Sequence, residues 1–201
     1  MFYYILYLKV IDKEKREEGS KMIDKIRNIL LKNKVRLIPG MTEKGISYAE
    51  EFYDITFPKN YKEMLMNFVP VSNGFYNWND YSKENVNLIK NMLELPYEDI
   101  IFDIRENDFW LEQIGEYSND VEARIKIFNN YKNNIPKIIP IYSHRYVISD
   151  NNVEYPVISI HQTDVIYYGA NLLEYFENEF NKTYNISKIN KISFWSDIIE
   201  K

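Results

Sequence analysis

Cysteine is absent from this 201-residue chain. Disulfides, zinc–thiolate sites and cysteine nucleophiles are thereby excluded. Histidine is nearly absent: His144 and His161 are the only two imidazoles. No H-E-x-x-H or comparable spacing supports a metal site. The six glycines are scattered, so there is no phosphate-binding loop, and no G-x-S-x-G elbow marks a serine hydrolase. Internal repeats, low-complexity tracts and heptad runs are missing too. The first ten residues, MFYYILYLKV, are apolar, but a membrane span needs roughly 20 such residues. They lack the basic start and small-residue cleavage site of a signal peptide. They read either as an edge strand or helix docked on the domain, or as a stretch preceding a true start at Met22. Without a leader or cysteines, a cytoplasmic protein is the simplest expectation.

What is present is a foldable amount of apolar side chain. Apolar residues make up 45% of the chain and aromatics 16%, too many for a disordered polymer and enough for one sizeable domain. The 18 tyrosines suit either a sticky binding surface or an AT-rich coding sequence. The net charge of −5 is unevenly spread. Met1–Arg36 holds ten basic residues against five acidic ones, whereas Glu94–Glu122 holds ten acids and a single base, Arg105. That acidic run repels nucleic acid and favours a basic partner, unless the N-terminal basic helix balances it in space.

Periodicity and turn chemistry set the order of elements. Ser20 is placed to cap a helix to about Asn33, with Met22, Ile23, Ile26, Ile29 and Leu30 on one face. Thr42 caps a second helix to about Tyr53, and Pro58 opens a third with Tyr61, Met64, Leu65 and Phe68 as its stripe. Asn73-Gly74 marks a turn in a loop, and Trp78 its anchor. Ser82 caps a fourth helix, expected to stop at Pro96. A short apolar run and a turn follow, then a helix over about Asp120–Asn133. Three strands are expected at Ile138–Tyr142, Val157–His161 and Val165–Tyr168, joined in part by the Asp150-Asn151-Asn152 turn. Asn171 then caps an amphipathic helix. A polar linker over Asn181–Lys191 leads to a short helix with Phe194, Trp195, Ile198 and Ile199. Helices first and strands later argue for a single α+β domain with an antiparallel-leaning β-sheet flanked by helices. Its expected divisions are an N-terminal extension over 1–19, the domain over 20–180, and a linker with a short helix over 181–201.

Few residues carry catalytic chemistry. His144 and His161 with Asp164 could form an acid/base or metal site, but structural hydrogen bonds of His144-Arg145 at a strand junction explain them more simply. Asp164 follows Gln162-Thr163 at a turn, where Asp and Thr commonly bond nearby backbone groups. Asp103 and Asp108 could be drawn as a glycosidase pair, yet two acids in so acidic a run are expected by chance. Trp78, Trp110 and Trp195 read as packing residues, with interface hot spots as the alternative. On the packing reading Trp110→Ala costs about 3–5 kcal/mol.

Several segments together resemble a known family. Gly40–Glu43 (GMTE) precedes Phe57–Leu65 (FPKNYKEML). Asn77, Trp78 and Asp80 follow, then Phe102–Ile104, Phe109-Trp110 and Gly115. Ser143–Tyr146 (SHRY) and Gln162–Gly169 (QTDVIYYG) close the series. In order and spacing, over roughly residues 40–180, these resemble the bacterial branch of the SUKH superfamily, which also holds the yeast Smi/Knr cell-wall-assembly regulators. Two departures are Ile114, where a tryptophan is common, and the first 20 residues, which have no counterpart. The resemblance implies an α+β binding scaffold rather than an enzyme, with no cofactor. It also implies structural roles for Trp78, Asp103, Trp110, His144, Arg145, Tyr146, Gln162, Asp164, Tyr168 and Gly169.

Bacterial relatives are commonly immunity proteins that neutralise toxin domains, often nucleases, of polymorphic toxin systems. The expected partner is therefore a protein toxin domain, with no direct nucleic-acid or membrane contact and no oligomeric state specified. Asp99, Glu106, Asp108, Glu112 and Glu116 are the candidate partner-binding residues. The rivals are a regulatory interaction module without a toxin partner and a hydrolase built on His144 and Asp164.

Overall fold

The computed structural model describes the backbone of residues 2–201 and the side chains of residues 17–201. The expected docking of the MFYYILYLKV side chains therefore lies outside the described residues. Helix α1 (Phe2–Lys32) runs through Ser20 without interruption, so no cap forms there. The preceding KEKREE segment is rich in good helix formers, and one serine does not end such a run. Ile23, Ile26, Ile29 and Leu30 are buried, as their spacing required.

Strand β1 (Leu37–Pro39) is followed by α2 (Glu43–Tyr53), whose cap Thr42 accepts a hydrogen bond from Gly45 N at 3.1 Å. Helix α3 (Lys59–Asn67) begins after Pro58 and buries Tyr61, Met64 and Leu65. It leads directly into β2 (Phe68–Pro70), which pairs antiparallel with β1. This small two-stranded ribbon was not expected from the sequence.

Helix α4 (Lys83–Glu106) does not stop at Pro96 but continues ten residues past it, so the segment expected to be an apolar run and turn is helical. An interior proline removes a backbone hydrogen bond and costs about 3 kcal/mol. Here Pro96 is itself buried, and Tyr97, Ile100 and Ile104 follow it at helical spacing into the core. Burial of that face outweighs the proline. Asp120 accepts from the amides of Glu122 and Ala123 and caps α5 (Val121–Tyr131).

The main sheet has four strands where three were expected: β3 (Ile138–Tyr142), β4 (Arg145–Ile148), β5 (Val157–His161) and β6 (Asp164–Gly169). They are antiparallel neighbours in chain order. The strand that periodicity missed, β4, follows a two-residue turn in which Ser143 takes a left-handed φ of 46°. A serine there gives none of the Asn-Gly signal that announces such a hairpin. Asn171 caps α6 (Leu172–Phe176), which continues into a π turn over Glu177–Asn181, and α7 (Trp195–Ile199) closes the chain.

Both faces of the sheet are covered. Ile139, Ile141, Val147 and Val157 join a core with residues of α1, α2, α3 and α6. Ile138, Tyr146, Ile148, Ile158, Ile160 and Val165 join another with α4, α5 and the C-terminal segment. Successive strand residues alternate between the two cores, as the period-two geometry of a strand demands. Burial on both faces is why these strands read as nearly unbroken apolar runs. The chain is thus a mixed α+β domain whose sheet lies between two helical layers. Among the described residues, no helix is long and apolar enough to cross a membrane.

Candidate functional site

The acidic run folds into the second half of α4, a connection with one 3-10 turn (Glu112–Ile114), and the start of α5. Its carboxylates fall into two groups. Asp99 and Asp103 sit one helical turn apart, a spacing that puts two side chains on one face. Asp99 Oδ2 accepts from Gln162 N at 3.1 Å, and Asp103 Oδ2 accepts from Thr163 N at 2.8 Å. Two adjacent amides of the β5–β6 turn are thus held by two consecutive acids of α4. Gln162 has the positive φ (56°) that presents them. Asp103 is 2% exposed and also accepts from the Asn107 side chain. Asp99, expected to bind a partner, is half-buried and engaged in this clamp instead.

Asp108 is exposed but also committed. It accepts from Tyr117 Oη at 2.8 Å and pairs with Arg124 at 2.9 Å. Arg124 is buried, donates to Ser118 O and Ile104 O, and stacks over the Tyr117 ring. A buried guanidinium is costly unless neutralised and hydrogen-bonded, and Asp108 supplies the charge. Arg124 was not singled out from the sequence, although its position three residues after Val121 and four before Phe128 puts it on the buried face of α5. Glu106, Glu112 and Glu116 are exposed, and none has an ion-pair partner among the described residues. Farther along the same surface, Glu94 pairs with Lys132, and Glu122 with Arg105 at 3.7 Å. Of the five candidate partner-binding acids, three therefore remain fully available, and Asp99 and Asp108 maintain the fold.

The histidine region is arranged as a hairpin end. His144 lies in the β3–β4 turn with Nδ1 3.2 Å from Ser143 Oγ, and its carbonyl accepts from Ile160 N. His161 and Asp164 are exposed and face each other in register across the β5–β6 turn. Arg145 turns inward. It donates to Glu179 at 3.0 Å and to Ser159 Oγ at 2.9 Å, and its guanidinium lies 4.0 Å from the Tyr168 ring centroid. Tyr146 points to the opposite core and is fully buried. A Cβ on Gly169 would stand 2.4 Å from Tyr175 N, so glycine is required where β6 passes the start of α6.

Partial burial, then the neighbouring charges of Arg145 and His161, hold the His144 imidazole below its usual value of 6.5. The sign follows from linkage. The unfolded chain binds the proton more readily, so the contribution of His144 is fully present above about pH 6.5 and is lost as pH falls through the depressed native value. His144→Ala should flatten the stability–pH slope just below pH 6.5 in urea titrations at several pH values. An unchanged slope would refute this assignment.

The tryptophans differ. Trp78 and Trp195 are completely buried, whereas Trp110 is only partly so and donates to Gly115 O at 3.0 Å. Trp110 is mostly covered but not fully buried, so the cost of Trp110→Ala is expected toward the lower end of about 3–5 kcal/mol.

Two grooves open on the surface. The larger, about 510 Å³, lies between the end of α2, the middle of α4 and the α5–β3 connection, with Tyr53, Lys90, Tyr97, Lys132 and Lys137 among its walls. Burial, with Tyr81 and Asp80 adding, pushes the Tyr53 hydroxyl up to about 12. Lys132 and Lys137 are paired with Glu94 and Asp54, while Lys90, over the Phe52 ring, has no ion pair among the described residues. A second groove of about 280 Å³ lies between the start of α3 and the β4–β5 loop. Neither is lined by His144, His161 or Asp164. Among the described residues, no cluster of three or more His, Asp or Glu is placed to hold a metal ion.

Neither a family model nor a curated protein nor a solved structure matches this chain.

Proposed function

We propose that this chain is a non-enzymatic, cytoplasmic immunity protein of the SUKH type. It binds a toxin domain of a bacterial polymorphic toxin system and neutralises it by stoichiometric occlusion. The motif series over residues 40–180 suggests the type. The observation that carries the binding role is the division of labour in the acidic run. Asp99, Asp103 and Asp108 secure the fold, while Glu106, Glu112 and Glu116 are exposed without a cation partner among the described residues. A toxin that handles nucleic acid carries a basic cleft, and these carboxylates complement it. Charge complementarity of this kind speeds capture more than it deepens affinity. In the histidine region, Arg145 ties β4 to Ser159 of β5 and to Glu179 of the turn after α6, a scaffold role in keeping with a binding domain.

The test is coexpression with the toxin domain encoded beside this gene. Rescue of growth and a stoichiometric complex are expected. Reversing Glu106, Glu112 and Glu116 to lysine should lower the association rate at least tenfold in low salt and flatten its salt dependence. Unchanged rates and salt dependence would remove the electrostatic part. Failure of the wild-type protein to rescue, with no toxin gene adjacent, would favour a regulatory interaction module instead.

A further inference from the structure

Helix α4 turns Ile89, Pro96, Tyr97, Ile100, Asp103 and Ile104 into the core. On its outer side three large apolar residues stay in solvent: Leu88 at 47%, Leu95 at 36% and Phe102 at 46% exposure. They are seven residues apart. At 100° per residue they fall within about 40° of one another, forming a ridge roughly 21 Å long at 1.5 Å rise per residue. Single exposed apolar side chains are ordinary, whereas an aligned row marks a contact surface. On this side of the helix the exposed acids Glu84, Glu98 and Glu106 outnumber the one base, Arg105. Glu84 and Glu106 stand in line with the ridge at its two ends and Glu98 beside its centre, all exposed and without an ion pair among the described residues. The nearest base, Arg105, is paired with Glu122 at 3.7 Å. Lys83 and Lys90 project toward the other side of the helix by the same angular count.

An apolar seam edged by carboxylates complements one kind of surface. We propose that the outer face of α4, with Leu88, Leu95 and Phe102 as anchors and Glu84, Glu98 and Glu106 as rim, docks a basic amphipathic helix of the partner protein. Apolar residues of that helix at i, i+3/i+4 and i+7 lie along the ridge, and its flanking lysines or arginines meet the three carboxylates. This rests on the protein-binding reading above and assigns that activity a surface and a partner chemistry. Leu88 falls outside the Glu94–Glu122 run that the sequence marked, and Glu106 belongs to both surfaces.

The probe is a synthetic 18-residue helix with leucines on one face and lysines on the flanks, and its counterpart with glutamates in place of the lysines. Each is titrated against the full chain by fluorescence anisotropy. The lysine peptide should bind, and the glutamate peptide at least tenfold more weakly. Leu88→Ala/Leu95→Ala/Phe102→Ala should lose at least tenfold in affinity with unchanged circular dichroism, because these side chains support little of the core. Glu84→Lys/Glu98→Lys/Glu106→Lys should lose at least tenfold in low salt, and the remote exposed pair Glu18→Lys/Asp24→Lys on α1 should not. Equal losses in the remote variant would mean non-specific charge attraction and overturn the assignment. So would a wild-type dimer that the alanine variant converts to monomer, since a second copy would then own the ridge. The two readings fail separately. If the alanine variant still rescues cells from the toxin, the ridge is wrong and the immunity role stands. If the wild type does not rescue yet binds the lysine peptide through the ridge, the reverse holds.

Discussion

Ending the chain at Lys191 should leave a protein that does not hold its fold. The lost segment looks peripheral in sequence, a short piece after a polar linker. In the structure it fills one side of the sheet: Ile192, Phe194, Trp195 and Ile198 are 1%, 0%, 0% and 6% exposed. Phe194 packs against Phe128 and Tyr131, and Tyr97 against Trp195. Trp195 Nε1–H donates to Pro136 O at 3.0 Å, and Tyr167 Oη donates to Ser196 Oγ at 2.7 Å. Truncating one buried Trp or Phe costs about 3–5 kcal/mol. Two of these with two isoleucines reach or exceed the total stability of a typical domain, about 5–15 kcal/mol. Phe194 also holds a left-handed φ of 69°, which a bulky residue adopts only where its surroundings enforce it. Purified truncated protein should lack a cooperative thermal transition and near-ultraviolet circular dichroism. A melt within a few degrees of the full chain would show that the face closes without this segment.

Trp78→Ala should produce the second large loss, about 3–5 kcal/mol. In a chain of this size each kcal/mol moves the melting temperature by about 2–4 °C, so a drop of roughly 6–20 °C is expected. Trp78 is fully buried at the centre of the other core, edge-on to Tyr53 and Phe57 at centroid distances of 5.4 and 5.1 Å. Its indole N–H donates to Tyr61 Oη at 2.9 Å. Alanine therefore removes both the volume and the donor, leaving a buried hydroxyl short of a partner. Trp78→Phe keeps most of the volume and should cost clearly less. The measurement is paired thermal and urea melts of both variants. Equal costs would mean that the indole hydrogen bond, rather than the packing, dominates. For Trp78→Ala, a shift under 2 °C would contradict the core assignment.

Much of this architecture was legible in the sequence, and the exceptions share a cause. The caps expected at Thr42, Ser82 and Asn171 form, because a cap is decided by the side chain and the next three amides. Pro96 and Ser20 were misread in opposite directions. Each is a local signal, one against helix and one for a helix start, overruled by what lies on either side. Strand β4 was hidden by a turn without glycine or asparagine. Asp99 and Asp108 belong to a long acidic run that looks uniform. Only the fold shows that one meets the turn after β5 and the other a buried arginine. Arg124 lies at i+3 in the Val121, Ile125, Phe128 stripe of α5, so its spacing marks the buried face although its residue type points to solvent.

An α+β chain without cysteine chemistry, with an antiparallel sheet late in its length and its negative charge concentrated between Glu94 and Glu122, is already legible in the residues. Composition, period and turn residues are local quantities, and they suffice for that. The tertiary structure decided that the sheet is covered on both faces and that the C-terminal segment belongs to one of those cores. It also decided which acids hold the fold and which face solvent, and that α4 leaves an apolar ridge outside. Those outcomes depend on burial and on partners up to 94 residues away in the chain, and neither is written in any single stretch of the sequence.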